Sequence, residues 1–460
     1  MKKLTSFRKK DHSPGKGRRS AAPRRTAAPL TLDIEKLTWG GRGLGHSEGK
    51  VIFVSKSVPG DKLLVRLDKV KSSYGEGHIE AVLSPSEDRV EPKCKFFSHC
   101  GGCQWLSTAY ERQLAEKRAL VTSNLRHLLD GVTLEEIEPA VPPTGYRHRA
   151  DFHVKPSGGQ VRIGFYQEAS HQIVNLDTCR LFDGAFNEFY GALRRVLKEE
   201  PAARCLDGMT LVRSESEDHF ALHLRTGERA RQDDAVVLAE AAVGTGAGGC
   251  LVTPSIETGR VLVKRGSPRI EYGVDHPSSS RDIALRADIR SFTQPSYAMN
   301  RILVRRALEW LDPGRHERLL DLYSGVGNFS LPLATVCREV VAVESSPFAN
   351  EDAKDNAGRN EVFNVKHLPG DVLEWSRKLA AASESFDAVL LDPPRTGARG
   401  LVEPLVYLRP KRILYVSCSL PSLERDLQDF HGAGYKLVRI LPMDLFPQTY
   451  GVETLCLLKR

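Results

Sequence analysis

No apolar run in these 460 residues approaches the ~18 needed to span a membrane, and the basic, polar N-terminus lacks the apolar core of a secretory signal. Membrane insertion and export are therefore not expected, and the cytoplasm is the expected location. Residues 1–27 are almost without acid: Asp11 stands alone against ten Lys and Arg, so this stretch carries +9 and the remainder about −1 of the formal +8. Rich in Ser, Pro and Gly, residues 1–28 cannot bury a core and are expected to be a disordered tail. Such a tail either contacts nucleic-acid phosphates or is a solvated extension. Nine cysteines are an odd number in a chain without an export signal, so a disulfide framework is not expected either.

The cysteines that remain are informative by spacing. Cys94, Cys100 and Cys103 form C-x5-C-x2-C around Gly101-Gly102, and Cys179 follows much later. Three thiols in one loop and a fourth from a distant segment suit a four-thiolate cage, and on spacing alone two cages compete, a cubane iron–sulfur cluster and a structural zinc site. Cys205, Cys250, Cys337 and Cys456 read as structural.

The length allows two to four domains. Residues 29–87 alternate short β-patterned runs such as Val51-Ile52-Phe53-Val54 with turns, which predicts a small β-barrel of the oligonucleotide-binding type. Residues 88–288 mix strands (Tyr146 to Lys155, Val161 to Tyr166, His219 to Arg225) with a helical period over Ala185 to Lys198, a central α+β domain around the cysteines. From 289 to 460 strands and helices alternate regularly, predicting a doubly wound α/β domain of Rossmann-like form.

Within that last domain the loop Ser324-Gly325-Val326-Gly327-Asn328-Phe329 follows a strand but lacks the third glycine of a pyrophosphate loop and has no P-loop lysine. The next strand ends on Glu344, an acid about 20 positions on and placed for ribose hydroxyls. Together these favour a nucleoside without a diphosphate, S-adenosylmethionine foremost, over a dinucleotide; Asp371 after the third strand is placed for its adenine. Two later strands end on Asp392-Pro393-Pro394-Arg395 and Ser417-Cys418-Ser419. Ligands gather at the carboxyl ends of such strands, so a carboxylate and a thiol are expected to share one pocket. A thiolate beside a methyl donor suits C5 of a pyrimidine: addition to C6 makes C5 nucleophilic, and a base then removes the C5 proton. Glu453 is the candidate base.

The chain resembles the RNA 5-methyluridine methyltransferases, in particular the cluster-containing bacterial enzymes that modify 23S ribosomal RNA and carry an N-terminal TRAM domain. The resemblance runs from about residue 30 to the end, on C-x5-C-G-G-C-Q at Cys94 to Gln104, D-L-Y-S-G-x-G-N-F at Asp321 to Phe329, D-P-P-R, V-S-C, and F-P-Q-T-x-x-V-E at Phe446 to Glu453. It implies a [4Fe-4S] cluster on Cys94, Cys100, Cys103 and Cys179, and a methyl donor held by Gln294, Tyr323, Asn328, Glu344, Asp371 and Asp392. It implies Cys418 as nucleophile and Glu453 as base, RNA as partner, and a monomer. Three positions depart from the family pattern: Ser296 stands where asparagine is usual, Pro421 lies one place later than the usual proline, and Gly451 replaces a common histidine. The alternatives are a tRNA uridine-C5 enzyme, a cytosine-C5 enzyme, an amino-group methyltransferase, and a non-catalytic cluster protein that binds RNA or carries electrons. A cytosine enzyme typically has a second cysteine where Asp392-Pro393-Pro394-Arg395 stands, and an amino-group enzyme needs no Cys418.

Overall fold

Six strands open the chain: Leu30–Asp33 (β1), Lys36–Leu37 (β2), Gly43–Ser47 (β3), Lys50–Val54 (β4), Lys62–Val70 (β5) and Tyr74–Ser84 (β6), in the order β1-β5-β6-β4-β3-β2. The computed structural model describes residues 28–460 apart from 217–218, 228–229 and 256–259, so the basic tail, residues 1–27, lies outside the described residues. Alternation in β4 and β5 buries Ile52, Val54, Leu63 and Val65 against Leu32 and Ile34. The expected barrel is not closed. Its edge strands β1 and β2 follow each other in sequence, and the two residues between them, Ile34 and Glu35, donate to opposite ends of the sheet, to the carbonyls of Asp61 (2.9 Å) and Leu44 (2.8 Å). So short a link leaves no length for a ladder between the edges, and the sheet curls without sealing.

Helix Tyr110–Leu125 (α1) and the two-residue strand Thr133–Leu134 (β7) follow the cysteine loop. The second sheet contains Arg149–Ser157 (β8), Gln160–Tyr166 (β9), Ile173–Asn175 (β10), Leu206–Arg213 (β11), Phe220–Thr226 (β12), Gly249–Pro254 (β13) and Val263–Gly266 (β14), ordered β10-β9-β8-β11-β12-β13-β14. Helices Gly184–Glu199 (α2) and Gln232–Gly244 (α3) belong to this unit. Asp183 caps α2 by accepting from the Phe186 N–H at 2.7 Å. The helix then buries Phe186, Phe189, Tyr190, Leu193 and Leu197, an apolar stripe at helical spacing that packs on one face of the sheet.

A hairpin, Arg269–Val274 (β15) with Ile283–Asp288 (β16), leads into the last unit: Tyr297–Leu311 (α4), Arg318–Leu322 (β17), Ser330–Ala334 (α5), Glu339–Glu344 (β18), Pro347–Arg359 (α6), Val365–Pro369 (β19), Val372–Ala381 (α7), Ala388–Leu391 (β20), Val402–Leu408 (α8), Arg412–Ser417 (β21), Leu420–Gly432 (α9), Lys436–Met443 (β22) and Glu453–Lys459 (β23). The strand order is β19-β18-β17-β20-β21-β23-β22-β7, parallel from β19 to β21. The runs Val340 to Val343, Ala388 to Leu391 and Ile413 to Val416 are apolar without alternation and fully buried, as strands covered on both faces must be. The order reverses between β17 and β20, which opens a crevice at the carboxyl ends of the strands beside that switch. β23 enters antiparallel between β21 and β22, pairing Thr454 with Ser417, so the start of β23 lies beside the end of β21.

Candidate active site

Two strand ends set the floor of the crevice. β20 and β21 are paired neighbours, Leu391 registering with Tyr415, so Asp392 and Cys418 emerge side by side as their order in the sequence predicts. The antiparallel register of β23 brings Glu453 to the same place from the opposite direction; it is only 2% exposed. Burial pushes the Cys418 thiol up to about 12, the nearby Glu453 carboxylate adds to that, and the Arg395 guanidinium works the other way. Burial and then the neighbouring Asp392 hold Glu453 well above the usual carboxylate range. Asp392 is itself pushed up to about 7 by burial and by Asp321 beneath it. Burial thus favours the thiol form of Cys418 and the protonated form of Glu453, with Arg395 as the cation that pulls Cys418 towards its thiolate.

The donor side of the crevice is built around β17 and β18. Tyr323, the first residue past β17, takes a left-handed backbone (φ 67°) as the chain turns, and its N–H donates to the Val343 carbonyl at 3.0 Å. Gly325 also has a positive φ (55°), with open space where a side chain would stand, so a ligand can approach its backbone. The Glu344 carboxylate accepts from the N–H groups of Gly325 (3.0 Å) and Ser346 (2.6 Å), which fixes it across the mouth of the loop. Asp371 caps α7, accepting from the Glu374 N–H at 2.8 Å. Gln294 is buried in the link between β16 and α4. The residues expected to hold a methyl donor thus all stand at one end of the sheet or in the link beside it, a cradle with three acids (Glu344, Asp371 and Asp392) and an open backbone turn at Gly325 that suits a nucleoside.

Three features escaped the sequence. Asn328 is clasped by Asn300 of α4 through two reciprocal amide bonds (2.8 and 2.9 Å), with the Tyr272 hydroxyl at 3.4 Å. Asn300 lies four positions beyond Ser296, whose hydroxyl caps α4 by accepting from the Met299 N–H, and nothing in the local pattern marks it as the residue that grips the donor loop. The segment that carries the chain to Glu453 is held from below by α1. Gln113 and Gln448 exchange bonds of 2.9 and 3.0 Å, and Lys117 donates to Asp444 and to the Phe446 carbonyl. The cysteine loop joins this clamp, for the N–H groups of Gln104 and Trp105 both donate to the Gln448 carbonyl at 3.1 Å.

Cys94, Cys100, Cys103 and Cys179 line one cavity of about 60 Å³ walled by Phe96, Phe97, Leu106 and Phe165. Among the described residues no three His, Cys, Asp or Glu side chains converge as a single-ion site.

Residues 274–460 match the tRNA (uracil-5-)-methyltransferase family and residues 28–79 the TRAM domain. A 23S rRNA (uracil(1939)-C(5))-methyltransferase RlmD of a Marinomonas species is 31% identical over 96% of this chain and 99% of its own. An uncharacterised RNA methyltransferase of Thermosynechococcus vestitus is 34% identical over 94% and 98%. The chain belongs to the RNA uracil-C5 methyltransferase family. A solved structure of the Pyrococcus abyssi tRNA (uracil-54, C5)-methyltransferase, in complex with S-adenosyl-L-homocysteine, superposes with a TM-score of 0.70 at 25% identity, covering 93% of this chain and all of its own. That structure therefore shares the overall fold of this chain. Among the described residues no helix is long and apolar enough to cross a membrane.

Proposed function

We propose that this protein transfers a methyl group from S-adenosylmethionine to C5 of a uridine in RNA, with 23S rRNA as the substrate. The observation that carries the reading is the meeting of Cys418 and Asp392 on adjacent strand ends with Glu453 facing them from β23, beside the glycine cradle of Ser324 to Asn328.

The donor supplies an electrophilic methyl on a sulfonium; Gln294, Tyr323, Asn328, Glu344, Asp371 and Asp392 would hold it. Cys418 gives its proton to water, the resulting thiolate being favoured by the Arg395 charge, and adds through sulfur to C6 of the uracil, while the ring electrons move to C5. C5 then forms its bond to the methyl carbon while the sulfur–methyl bond breaks. Glu453, having passed its own proton to solvent or substrate, takes the C5 proton, and the electrons of that C–H bond restore the double bond and expel the Cys418 thiolate. Burial of Glu453 raises its basicity, which suits it to accept a proton from carbon near neutral pH.

The four cysteines around one apolar cavity fit a [4Fe-4S] cluster held by Cys94, Cys100, Cys103 and Cys179, a donor set of four thiols and nothing else. Uracil methylation moves no electrons, and the cysteine loop hydrogen-bonds the segment leading to Glu453, so the cluster's part is to fix that loop. The enzyme acts as a monomer in the cytoplasm, where its RNA substrate belongs. A tRNA substrate is the second reading, favoured by the likeness to the archaeal tRNA enzyme.

Transfer of labelled methyl from S-adenosylmethionine to unmodified rRNA and tRNA transcripts tests both. Incorporation into rRNA that disappears in Cys418→Ala supports the proposal; incorporation into tRNA alone selects the second reading. Label in neither overturns both.

A further inference from the structure

The second sheet has two unlike faces. Phe152, Val154, Ile163, Met209 and Leu222 point to the face packed by α2 and α3. Strand alternation sends Arg149, Asp151, His153 and Lys155 of β8 to the other, and the pairing sets Gly164, His153, Gly208, Arg225 and Thr253 in one row across five strands. At about 4.8 Å per strand that row is roughly 19 Å wide.

This outer face carries rings and cations. His153 stacks flat on Tyr166, centroids 3.7 Å apart and planes 14° from parallel, and His171 meets Tyr166 edge-on at 5.4 Å. Burial, and then the Arg225 charge, lowers the His153 pKa, which favours the neutral imidazole in the stack. Beside it the Arg225 guanidinium lies along the sheet because residue 208 is glycine: a Cβ there would stand 2.7 Å from the guanidinium. Arg225 donates to the Thr210 hydroxyl, which donates to Asp151. Lys155 and Arg162 are exposed at the edge of the same face. Its acids, Asp151 and Asp288, are each already paired, with Arg149 and Arg290.

The face also has direction. At one end Arg149 donates to the Ser291 carbonyl at 3.1 Å, next to Phe292, which is 70% exposed and two residues from Gln294. At the other end Gly101 of the cysteine loop donates to the Tyr166 carbonyl, and Glu168 takes the Ser55 hydroxyl of the N-terminal sheet at 2.6 Å. The strip thus runs from the mouth of the crevice to the cysteine loop and the TRAM sheet.

We infer that the outer face of the second sheet binds the single-stranded RNA flanking the target base, with the His153–Tyr166 pair as a stacking platform for one base and Arg225 as a phosphate contact. A flat aromatic pair with a cation alongside and an uneven excess of positive charge is the chemistry that recognises an unpaired polynucleotide. The inference rests on reading the chain as an RNA-modifying enzyme.

The test uses the full chain and labelled, unstructured oligouridine as the probe, with binding followed by fluorescence anisotropy. Tyr166→Ala is expected to weaken binding about tenfold while Tyr166→Phe stays within about twofold of wild type, because the ring and not the hydroxyl stacks. Arg225→Gln is expected to reduce the log–log salt slope by about 0.7, the loss of one phosphate contact on a single strand. S-adenosylhomocysteine binding should be unchanged in all three. If Tyr166→Ala unfolds, the Arg225→Gln slope decides. Wild-type protein that ignores oligouridine, equal losses in the two Tyr166 variants, or an unaltered slope together with unchanged affinity in Tyr166→Ala would each overturn the surface. Variants that lose oligouridine while the wild type methylates no RNA would leave the surface standing and remove the enzymatic reading instead.

Discussion

Lys117 and Asp444 form an ion pair whose side chains are both 0% exposed, with Nζ and Oδ1 2.5 Å apart. The ammonium also donates to the Phe446 carbonyl at 3.0 Å, and the Tyr110 hydroxyl donates to the second Asp444 oxygen at 3.0 Å. Burial drags the Lys117 pKa down while the Asp444 charge supports it, the balance expected of a cation held in place by one partner. Lys117→Met keeps the length of the side chain but leaves the buried Asp444 carboxylate with the Tyr110 hydroxyl as a neutral side-chain donor. Stranding a buried charge in this way costs about 3–5 kcal/mol, a large part of the roughly 5–15 kcal/mol by which domains are stable. Asp444→Asn should cost a similar amount by stranding the ammonium. The double variant, which removes both charges together, should recover at least half of the single-variant loss, since the desolvation of two ions is relieved at once. Urea unfolding of the four proteins, followed by hydrogen exchange of residues 444–453, measures all three terms. A Lys117→Met cost below about 1 kcal/mol, the range of a surface pair, would refute the view that this pair anchors the segment leading to Glu453.

Glu453→Gln is expected to accumulate a covalent RNA–protein band on denaturing gels, because addition and methyl transfer precede proton removal; normal turnover without the band would assign the base elsewhere. Asn300→Ala should weaken S-adenosylhomocysteine binding about tenfold by calorimetry, since it leaves the Asn328 amide with unmade bonds at the donor loop, and unchanged affinity would make the amide clasp purely architectural. Because the Cys418 thiol is pushed up to about 12, its thiolate fraction grows with pH throughout the neutral range. The RNA-addition rate should therefore rise about tenfold per unit from mildly acid to mildly alkaline pH, and a flat profile would mean the proton is already gone before substrate binds. Protein prepared without oxygen should be brown with iron and sulfide, and stoichiometric zinc in a colourless sample would replace the cluster.

The strands of the last sheet were legible because runs such as Ala388 to Leu391 and Arg412 to Ser417 are apolar to their ends and then stop on a reactive residue. Adjacency of Asp392 and Cys418 followed from that and from the alternation of strands with helices. The curled N-terminal sheet was half legible. Alternation gave its strands, but closure depends on the two-residue link at Ile34 and Glu35, which no periodicity encodes. The two-residue β7, which pairs with Arg439 and Ile440 some 300 positions away, carries no pattern at all.

The buried polar side of α1 was hidden for a different reason. Gln113, Glu116 and Lys117 are polar residue types that usually face solvent, yet Glu116 accepts from the Leu37 N–H of the N-terminal sheet at 3.0 Å while Gln113 and Lys117 bind the segment Asp444 to Gln448. These partners lie 79 positions away at Leu37 and more than 300 away at Asp444, Phe446 and Gln448, so the helix sequence alone does not distinguish the three from surface residues. The same holds for the departure at Ser296. As the cap of α4 it accepts from the Met299 N–H, and the amide that grips the donor loop comes from Asn300 one turn on. A sequence pattern records which residue types recur near a site. Which of them touches it is decided by the helix turn, because residues four apart share a face and a substitution at one leaves the other in reach.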